Sequence, residues 1–269
     1  MAILVVKVGG AEGLDYGAVC RDAAAVVAAG QRLVLVHGGS AEASALGAAL
    51  GHPPRWLTSP SGYRWRFTDR ETLETFAMAA LGKVNLRLVE GLQAVGVDAI
   101  GLSGLGGRLL EAHRKAVVQC VENGKRHVVR DDFTGKVQKV NRRLLLSLLD
   151  LGLTPVLAPL AISEESQAVN IDGDRAAAMV AGALQAETLV LLTAAPGLLR
   201  SFPDESTLVH RLERDQRDQA LALAADGMKK KVLGAWEALQ AGVLRVVIAD
   251  GRIRDPISAA LTGAGTTLG

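Results

Sequence analysis

Aromatic side chains are scarce in this sequence of 269 residues: Phe, Trp and Tyr together make up 3%, against 49% for the whole hydrophobic set. The interior must therefore be built from Val, Leu, Ala and Ile. Cysteine is scarcer still. Cys20 and Cys120 stand far apart with no metal-ligand spacing, which argues against a disulfide scaffold or a thiolate zinc site and predicts two buried, reduced thiols. Long hydrophobic runs are missing as well. No apolar stretch reaches the roughly 18 to 20 residues that cross a bilayer, and the sequence enters a strand at Ala2 without the charged n-region and cleavage site of a signal peptide. A cytoplasmic protein with no membrane partner is expected. Net charge is small too, only +2, which argues against a general nucleic-acid binder.

The charge that is present is unevenly spread. From Arg108 to Arg143 there are ten Lys or Arg against four Asp or Glu, so the rest of the chain is net negative. Such a patch is either a plain solvated hairpin or a surface that steers an anionic partner.

Short apolar runs alternate with helical patterns along the chain. Ala2 to Val8, Arg32 to Val36, Asp98 to Leu102, Thr154 to Ala158, Thr188 to Leu192 and Arg245 to Ala249 are bounded by Gly, Pro or polar residues, as expected of strands buried on both faces. Tyr16 to Ala29, Ser40 to Leu50, Asp69 to Leu81, Val84 to Val95, Asn141 to Leu151, Gly173 to Gln185 and Met228 to Gln240 carry apolar residues at helical spacing. The pattern predicts an α/β fold, a three-layer αβα sandwich around an open, mainly parallel sheet. Lys115 to Arg130 interrupts it as a β-hairpin around Asn123-Gly124, a pair suited to a type I′ turn. No long linker appears, so a division into lobes falls at a short crossing near Asn170, giving lobes 1–170 and 171–269.

Chemistry gathers at four places. Two are strand ends punctuated by glycine, Val5-Val6-Lys7-Val8-Gly9-Gly10 and Leu33-Val34-Leu35-Val36-His37-Gly38-Gly39-Ser40. Small residues where a strand hands over to a helix let backbone N–H groups approach a polyphosphate, and Lys7 adds a cation. Structural turns would explain the same residues, and His37 could simply satisfy backbone groups at a strand end. The third place is Val169-Asn170-Ile171-Asp172-Gly173-Asp174, at a helix opening where Asp174 could be an ordinary first-turn carboxylate. The fourth, Gly227-Met228-Lys229-Lys230-Lys231-Val232, reads equally as a basic, solvated helix start.

Taken in order, these segments resemble the amino acid kinase superfamily, and within it the acetylglutamate kinase branch. The resemblance runs from Ile3 to Thr267 and rests on VVKVGG, VHGGS, RFTD at Arg66 to Asp69, AIGLSG at Ala99 to Gly104, Gly135 to Val137 followed by Val140-Asn141, TPVLAP, NIDGD, PGLL at Pro196 to Leu199, GMKKKV, and the closing DGR at Asp250 to Arg252 with Gly265-Thr266. It implies the amino acid kinase (carbamate kinase-like) fold and phosphoryl transfer from ATP to a side-chain carboxylate. By similarity Lys7 and Lys231 flank the phosphoryl group, Asp174 holds both lysines, and Gly9, Gly10, Gly38 and Gly39 supply N–H donors. Arg66 matches the arginine that grips the α-carboxylate of the amino acid, and Asn170 the asparagine at its derivatised amino group; Gly38 and Gly39 also border the acceptor. Thr193, Pro196, Gly197 and Leu198 match the nucleotide loop. Mg²⁺ is expected to arrive with ATP, without a fixed protein ligand cluster. The N-terminal lobe would bind the acceptor and dimerise, and the C-terminal lobe would bind ATP.

Several positions depart from that branch. Ser40 stands where a third glycine usually follows His-Gly-Gly, Leu105-Gly106 where Lys-Asp is common, and Ala194 where an Asp or Asn usually precedes the Pro-Gly of the nucleotide loop. The stretch from Gly51 to Glu74 and Leu105 look more like the relatives that phosphorylate 2-aminoadipate while it is attached to a small acidic amino-group carrier protein of the LysW type, on a route to lysine. The basic segment fits a partner of that charge. The runner-up is free N-acetylglutamate, and the alternative from another class is a nucleotide-binding storage or regulatory protein, which would require a broken catalytic set. The first strand at Ala2 leaves no room for the N-terminal helix of arginine-inhibited hexamers, so a homodimer is expected.

Overall fold

In the computed structural model, residues 2–10, 13–60, 62, 64–122 and 124–269 are described. The central element is an eight-stranded sheet ordered β14 (Arg211–Leu212), β16 (Thr266–Leu268), β15 (Arg245–Asp250), β13 (Thr188–Thr193), β1 (Ile3–Val8), β2 (Arg32–His37), β10 (Thr154–Ala158) and β5 (Ala99–Ser103). All its pairings are parallel except β15 with β16. The sandwich expected from the alternation of apolar runs is thus the observed one. A strand flanked by sheet on both sides and covered by helices on both faces has no wet face, which is why β1, β2 and β13 read as nearly continuous Val and Leu.

The helices are α1 (Tyr16–Ala28), α2 (Ser40–Ala49), α3 (Arg70–Ala79), α4 (Leu86–Ala94), α5 (Arg142–Asp150), α6 (Gly173–Leu184), α7 (Arg217–Leu223), α8 (Asp226–Gln240) and α9 (Pro256–Leu261). Side chains alternate across β1. Leu4, Val6 and Val8 pack with Val19 of α1, Leu88 of α4 and Ile257 of α9, whereas Val5 packs with Leu145 of α5, Val180 of α6 and Val232 of α8. The two-residue period therefore carries Lys7 onto the α6 side of the sheet.

Two smaller sheets hang beyond the central one. A closed four-stranded barrel contains β6 (Leu110–Arg114), β9 (Thr134–Val140), β11 (Leu160–Ser163) and β12 (Ala168–Ile171), and a second sheet runs β4 (Arg64–Arg66), β3 (Trp56–Thr58), β7 (Val117–Glu122), β8 (Lys125–Arg130). The expected hairpin is β7 with β8, in register from Val117 opposite Arg130 to Glu122 opposite Lys125. Gly124 has φ of 74°, the left-handed geometry the turn demands; Asn123 lies outside the described residues. The barrel was not expected, because its strands are short and three of its four pairings join segments well apart in the chain.

One expected break is absent. The spacing predicts separate helices ending at Leu81 and starting at Val84, but α3 and α4 are joined by a π-helical turn, Ala80–Asn85. A single helix-interior glycine such as Gly82 costs only about 1 kcal/mol, too little to stop a helix whose flanks are buried. Cys20 and Cys120 are free and buried, and burial pushes the Cys20 thiol up to about 11. Among the described residues, no helix is long and apolar enough to cross a membrane.

Candidate active site

The C-terminal ends of β1 and β2 lie side by side, with Val8 opposite His37, so their glycine turns meet. A Cβ on Gly10 would stand 2.5 Å from the Gly39 nitrogen, and one on Gly38 2.5 Å from the Gly10 nitrogen. Any side chain would drive the two backbones apart, which explains glycine at both positions physically.

Lys7, on β1 just before the first glycine turn, is 5% exposed. Its Nζ lies 2.7 Å from Asp174 Oδ1, while Lys231 Nζ lies 2.9 Å from Asp174 Oδ2. One carboxylate thus bridges two ammonium groups from opposite sides. Asp174 enters from the first turn of α6, whose N-cap Asp172 accepts from the backbone N–H groups of Asp174 and Arg175 at 3.0 and 3.1 Å. Lys231 enters from α8, which approaches closely because Gly234, one turn on, leaves only 3.2 Å between a hypothetical Cβ and the Asp174 carbonyl oxygen. Burial alone would raise the Asp174 pKa, but the ammonium groups of Lys231 and Lys7 outweigh it and hold the carboxyl well below the usual carboxylate range. Burial lowers the Lys7 pKa despite Asp174, with Lys231 adding repulsion. At Lys231 burial lowers the pKa, but the charge and hydrogen bond of Asp174, with Asp172 adding, together outweigh it, and the pKa is raised. Two cations and one anion leave the cluster net positive.

A cleft of about 1200 Å³ opens over this cluster, lined by Lys7, Gly10, Gly38, Gly39, Arg66, Asn170 and Asp174 among others. Arg66, at the end of β4, is 7% exposed. Its Nη2 donates to Ser40 O at 3.0 Å, Ser40 Oγ at 3.0 Å and Ser44 Oγ at 2.7 Å, and its guanidinium stacks 5.0 Å from the Trp56 ring centroid. The serine that departs from the acetylglutamate kinase pattern is therefore one that seats this arginine. Asn170 is fixed through its backbone N–H to Phe133 O at 2.8 Å and its side chain to Thr68 Oγ1 at 3.4 Å.

The remaining expected residues sit around this centre. Gly9 and Lys231 do not line the cleft wall, although Lys231 contacts Asp174, which does. Thr193 ends β13 beside β1, so the loop that follows stands next to the first glycine turn. Yet Thr193, Pro196, Gly197 and Leu198 do not line the cleft. Gly197 and Leu198 pack inward: the Leu198 N–H donates to Thr266 Oγ1 at 2.8 Å, and a Cβ at Gly197 would stand 2.5 Å from the same oxygen.

Sequence reasoning missed Ser44, Trp56, Trp65, Lys115, Lys136 and Arg175 on the cleft wall. Ser40 and Ser44 are one helical turn apart, and that spacing was the available signal. Trp65 is held by its indole N–H, which donates to buried Asp132 Oδ2 at 2.9 Å; nothing local in the sequence announces that pair.

The profile of the amino acid kinase family matches residues 2–250. The chain belongs to the amino acid kinase family. Within that family, it is 55% identical over 266 residues to the [LysW]-aminoadipate kinase of Deinococcus radiodurans, covering 99% of this chain and 91% of that protein. It is 54% identical over 268 residues to the [LysW]-aminoadipate kinase of Thermus thermophilus, covering 99% and 100%. Among solved structures, the N-acetylglutamate synthase of Neisseria gonorrhoeae complexed with coenzyme A and N-acetyl-glutamate superposes with a TM-score of 0.81 at 29% identity, covering 99% of this chain and 59% of that one. As an amino acid kinase, the chain is a phosphotransferase of the branch that contains the LysW-dependent kinases.

Proposed function

We propose that this chain transfers the γ-phosphoryl group of ATP to the side-chain carboxylate of 2-aminoadipate carried by a small acidic LysW-type protein, giving an acyl phosphate for lysine biosynthesis. The observation that carries the reaction type is the buried Lys7–Asp174–Lys231 bridge beneath two touching glycine turns. The choice of acceptor rests on the likeness to the two bacterial kinases, at 55% and 54% identity over nearly the whole chain.

The difficulty of this reaction is electrostatic. An anionic carboxylate must approach an anionic phosphoryl group whose charge spreads over its equatorial oxygens in flight. Lys7 and Lys231 meet that charge, and their positions are fixed beforehand by Asp174, so little reorganisation is needed at the moment of transfer. Asp174 is not needed as a base, since a carboxylate nucleophile near neutral pH has no proton to lose. The N–H groups of Gly9, Gly10 and Gly39 are the neutral donors, whereas that of Gly38, expected to join them, already donates to the Val8 carbonyl oxygen at 2.9 Å. Arg66 takes the α-carboxylate and Asn170 the amide that replaces the amino group. The nucleotide extends toward the loop of Thr193, Pro196, Gly197 and Leu198, with residues 1–170 serving the acceptor and 171–269 the ATP. Asp172 caps α6 and Asp174 is already engaged by two lysines, a donor set that suits Mg²⁺ carried in on the phosphates, where it neutralises charge, better than a protein-built cage.

The carrier would meet the β4-β3-β7-β8 sheet. Trp56 on β3 and Trp65 and Arg66 on the edge strand β4 line the cleft, while Lys125, Arg126 and Arg130 are exposed on the opposite edge strand, β8. The discriminating assay traps the acyl phosphate with hydroxylamine and compares N-acetylglutamate, N-acetyl-aminoadipate and carrier-linked aminoadipate. Carrier-linked aminoadipate should be preferred; a preference for free N-acetylglutamate would move the assignment to arginine biosynthesis. Reversing charge at Lys125, Arg126 and Arg130 should raise KM for the carrier-linked substrate, and added salt should do the same by screening. Turnover of the small acetylated acceptors should stay constant. Equal loss with both kinds of acceptor would make the hairpin purely structural.

A homodimer is the assembly this reading favours. Met78 and Leu86 are 52% and 63% exposed on either side of the π-helical turn, and β5 is an edge of the central sheet. Light scattering should return twice the 28.1 kDa chain mass; a monomer or a hexamer would reject it.

A further inference from the structure

His37 ends β2 immediately before the glycine pair and is wholly buried, with both ring nitrogens in defined contacts. Nδ1 lies 2.7 Å from the Gly38 carbonyl oxygen and Nε2 lies 3.0 Å from Asn85 Nδ2. Asn85 Nδ2 also donates to the Val156 carbonyl at 2.9 Å, which fixes the orientation of that amide. An amide NH₂ only donates, so Nε2 accepts and the ring proton sits on Nδ1, donating to Gly38 O. Burial holds the imidazole neutral, lowering its pKa to about 4 against the opposing Gly38 contact, and Lys7 is the charged group that adds to the lowering. Asn85 comes from the last position of the π-helical turn, and Gly101 on β5 makes room for it, because a Cβ there would overlap Asn85 Oδ1. Local π-helical winding of this kind is frequent at functional sites.

In a trans peptide the C=O and N–H point in opposite directions. Holding the Gly38 carbonyl toward the buried ring turns the Gly39 N–H the other way, and both glycines line the cleft. Among the described residues the Gly39 N–H donates to no backbone carbonyl. A peptide between two glycines is free to rotate unless something holds it. We infer that His37 is a positioning residue for phosphoryl transfer: by gripping the Gly38 carbonyl it fixes the Gly39 N–H as a donor to the phosphoryl group in flight, while Asn85 locks the tautomer that makes the grip possible. This rests on the phosphoryl-transfer reading above.

Two substitutions separate this role from that of a histidine that only fills a polar niche. In His37→Asn the side-chain NH₂ overlays Nδ1 and can still donate to Gly38 O, though the Asn85 contact is lost. In His37→Gln the side-chain carbonyl overlays Nε2 and keeps the Asn85 contact, but the Gly38 donor is lost. With the hydroxylamine assay run well below each variant's Tm, His37→Gln should lose about 10²-fold in kcat, and His37→Asn only about threefold, each with nearly unchanged KM for ATP. A niche-filling histidine would give losses that follow stability and are alike in the two variants, and that result would overturn the inference. Should His37→Gln fail to fold, Asn85→Ser carries the test. It frees Nε2, allows the other tautomer and should lower kcat about tenfold with KM for ATP unchanged; wild-type kcat in that variant would reject the inference. If the wild-type chain phosphorylates none of the acceptors, it is the parent reading that fails.

Discussion

Lys231→Ala will lower kcat by about 10²-fold or more while ATP still binds, and Lys7→Ala will do the same. The Lys7 ammonium is buried and that of Lys231 largely so, and they are held at 2.7 and 2.9 Å from one carboxylate, so their charge is presented in a low-dielectric site without prior rearrangement. A charge that acts mainly on the developing transition state appears in kcat more than in KM. Steady-state kinetics with saturating acceptor, together with direct ATP binding by calorimetry, separates the two. Near-full kcat in Lys231→Ala would disprove the assignment and move attention to Lys229 and Lys230. The alkaline side of the profile adds a check. Burial lowers the Lys7 pKa whereas Asp174 raises that of Lys231, so the first loss of activity on raising pH should report Lys7 and occur below the ordinary lysine value of 10.5.

Asp174→Asn should be the most damaging single change to stability. It removes the one carboxylate that, among the described residues, contacts both lysines, and leaves two like charges facing a neutral amide. Breaking a buried ion pair from one side costs about 3 to 5 kcal/mol, which for a chain of this size lowers Tm by roughly 10 °C. The sign of the pH dependence follows from the depressed carboxyl pKa. In the unfolded chain Asp174 titrates near 3.8, and in the fold it titrates lower, so its contribution is complete above the unfolded value and disappears as pH falls through the folded one. The Tm gap between wild type and Asp174→Asn should therefore be constant from neutral pH to about pH 5 and narrow below about pH 4. Differential scanning calorimetry across that range measures it. A variant within about 2 °C of wild type at pH 7 would show that the lysines do not depend on this carboxylate.

Lys7, the paired glycines, Arg66, Asn170, Asp174 and Lys231 were legible in the sequence because each belongs to a short ordered motif at the end of a strand or the start of a helix. Local chemistry dictates such motifs: only glycine permits the backbone contact between the two turns, and Asp172 caps α6 through a side chain two residues from Asp174. The apolar runs likewise specified the parallel sheet and its covering helices, since strands without a wet face must be hydrophobic throughout.

Tertiary structure decided what depends on residues far apart in the chain. The barrel of β6, β9, β11 and β12 closes through pairings between short strands, most of them well apart in the chain. The hydrogen bonds from Arg66 to Ser40 and Ser44 span 26 and 22 residues, and the contact of Trp65 with Asp132 spans 67. Asn85 reaches His37 only because α3 and α4 continue through a π-helical turn and Gly101 leaves space for the amide. The sequence by itself determined which groups could do the chemistry, since residue type and local backbone geometry are encoded within a few positions. Which serine, asparagine or tryptophan holds those groups in place was decided by packing, because a buried polar side chain takes the partner that the fold brings within hydrogen-bonding distance.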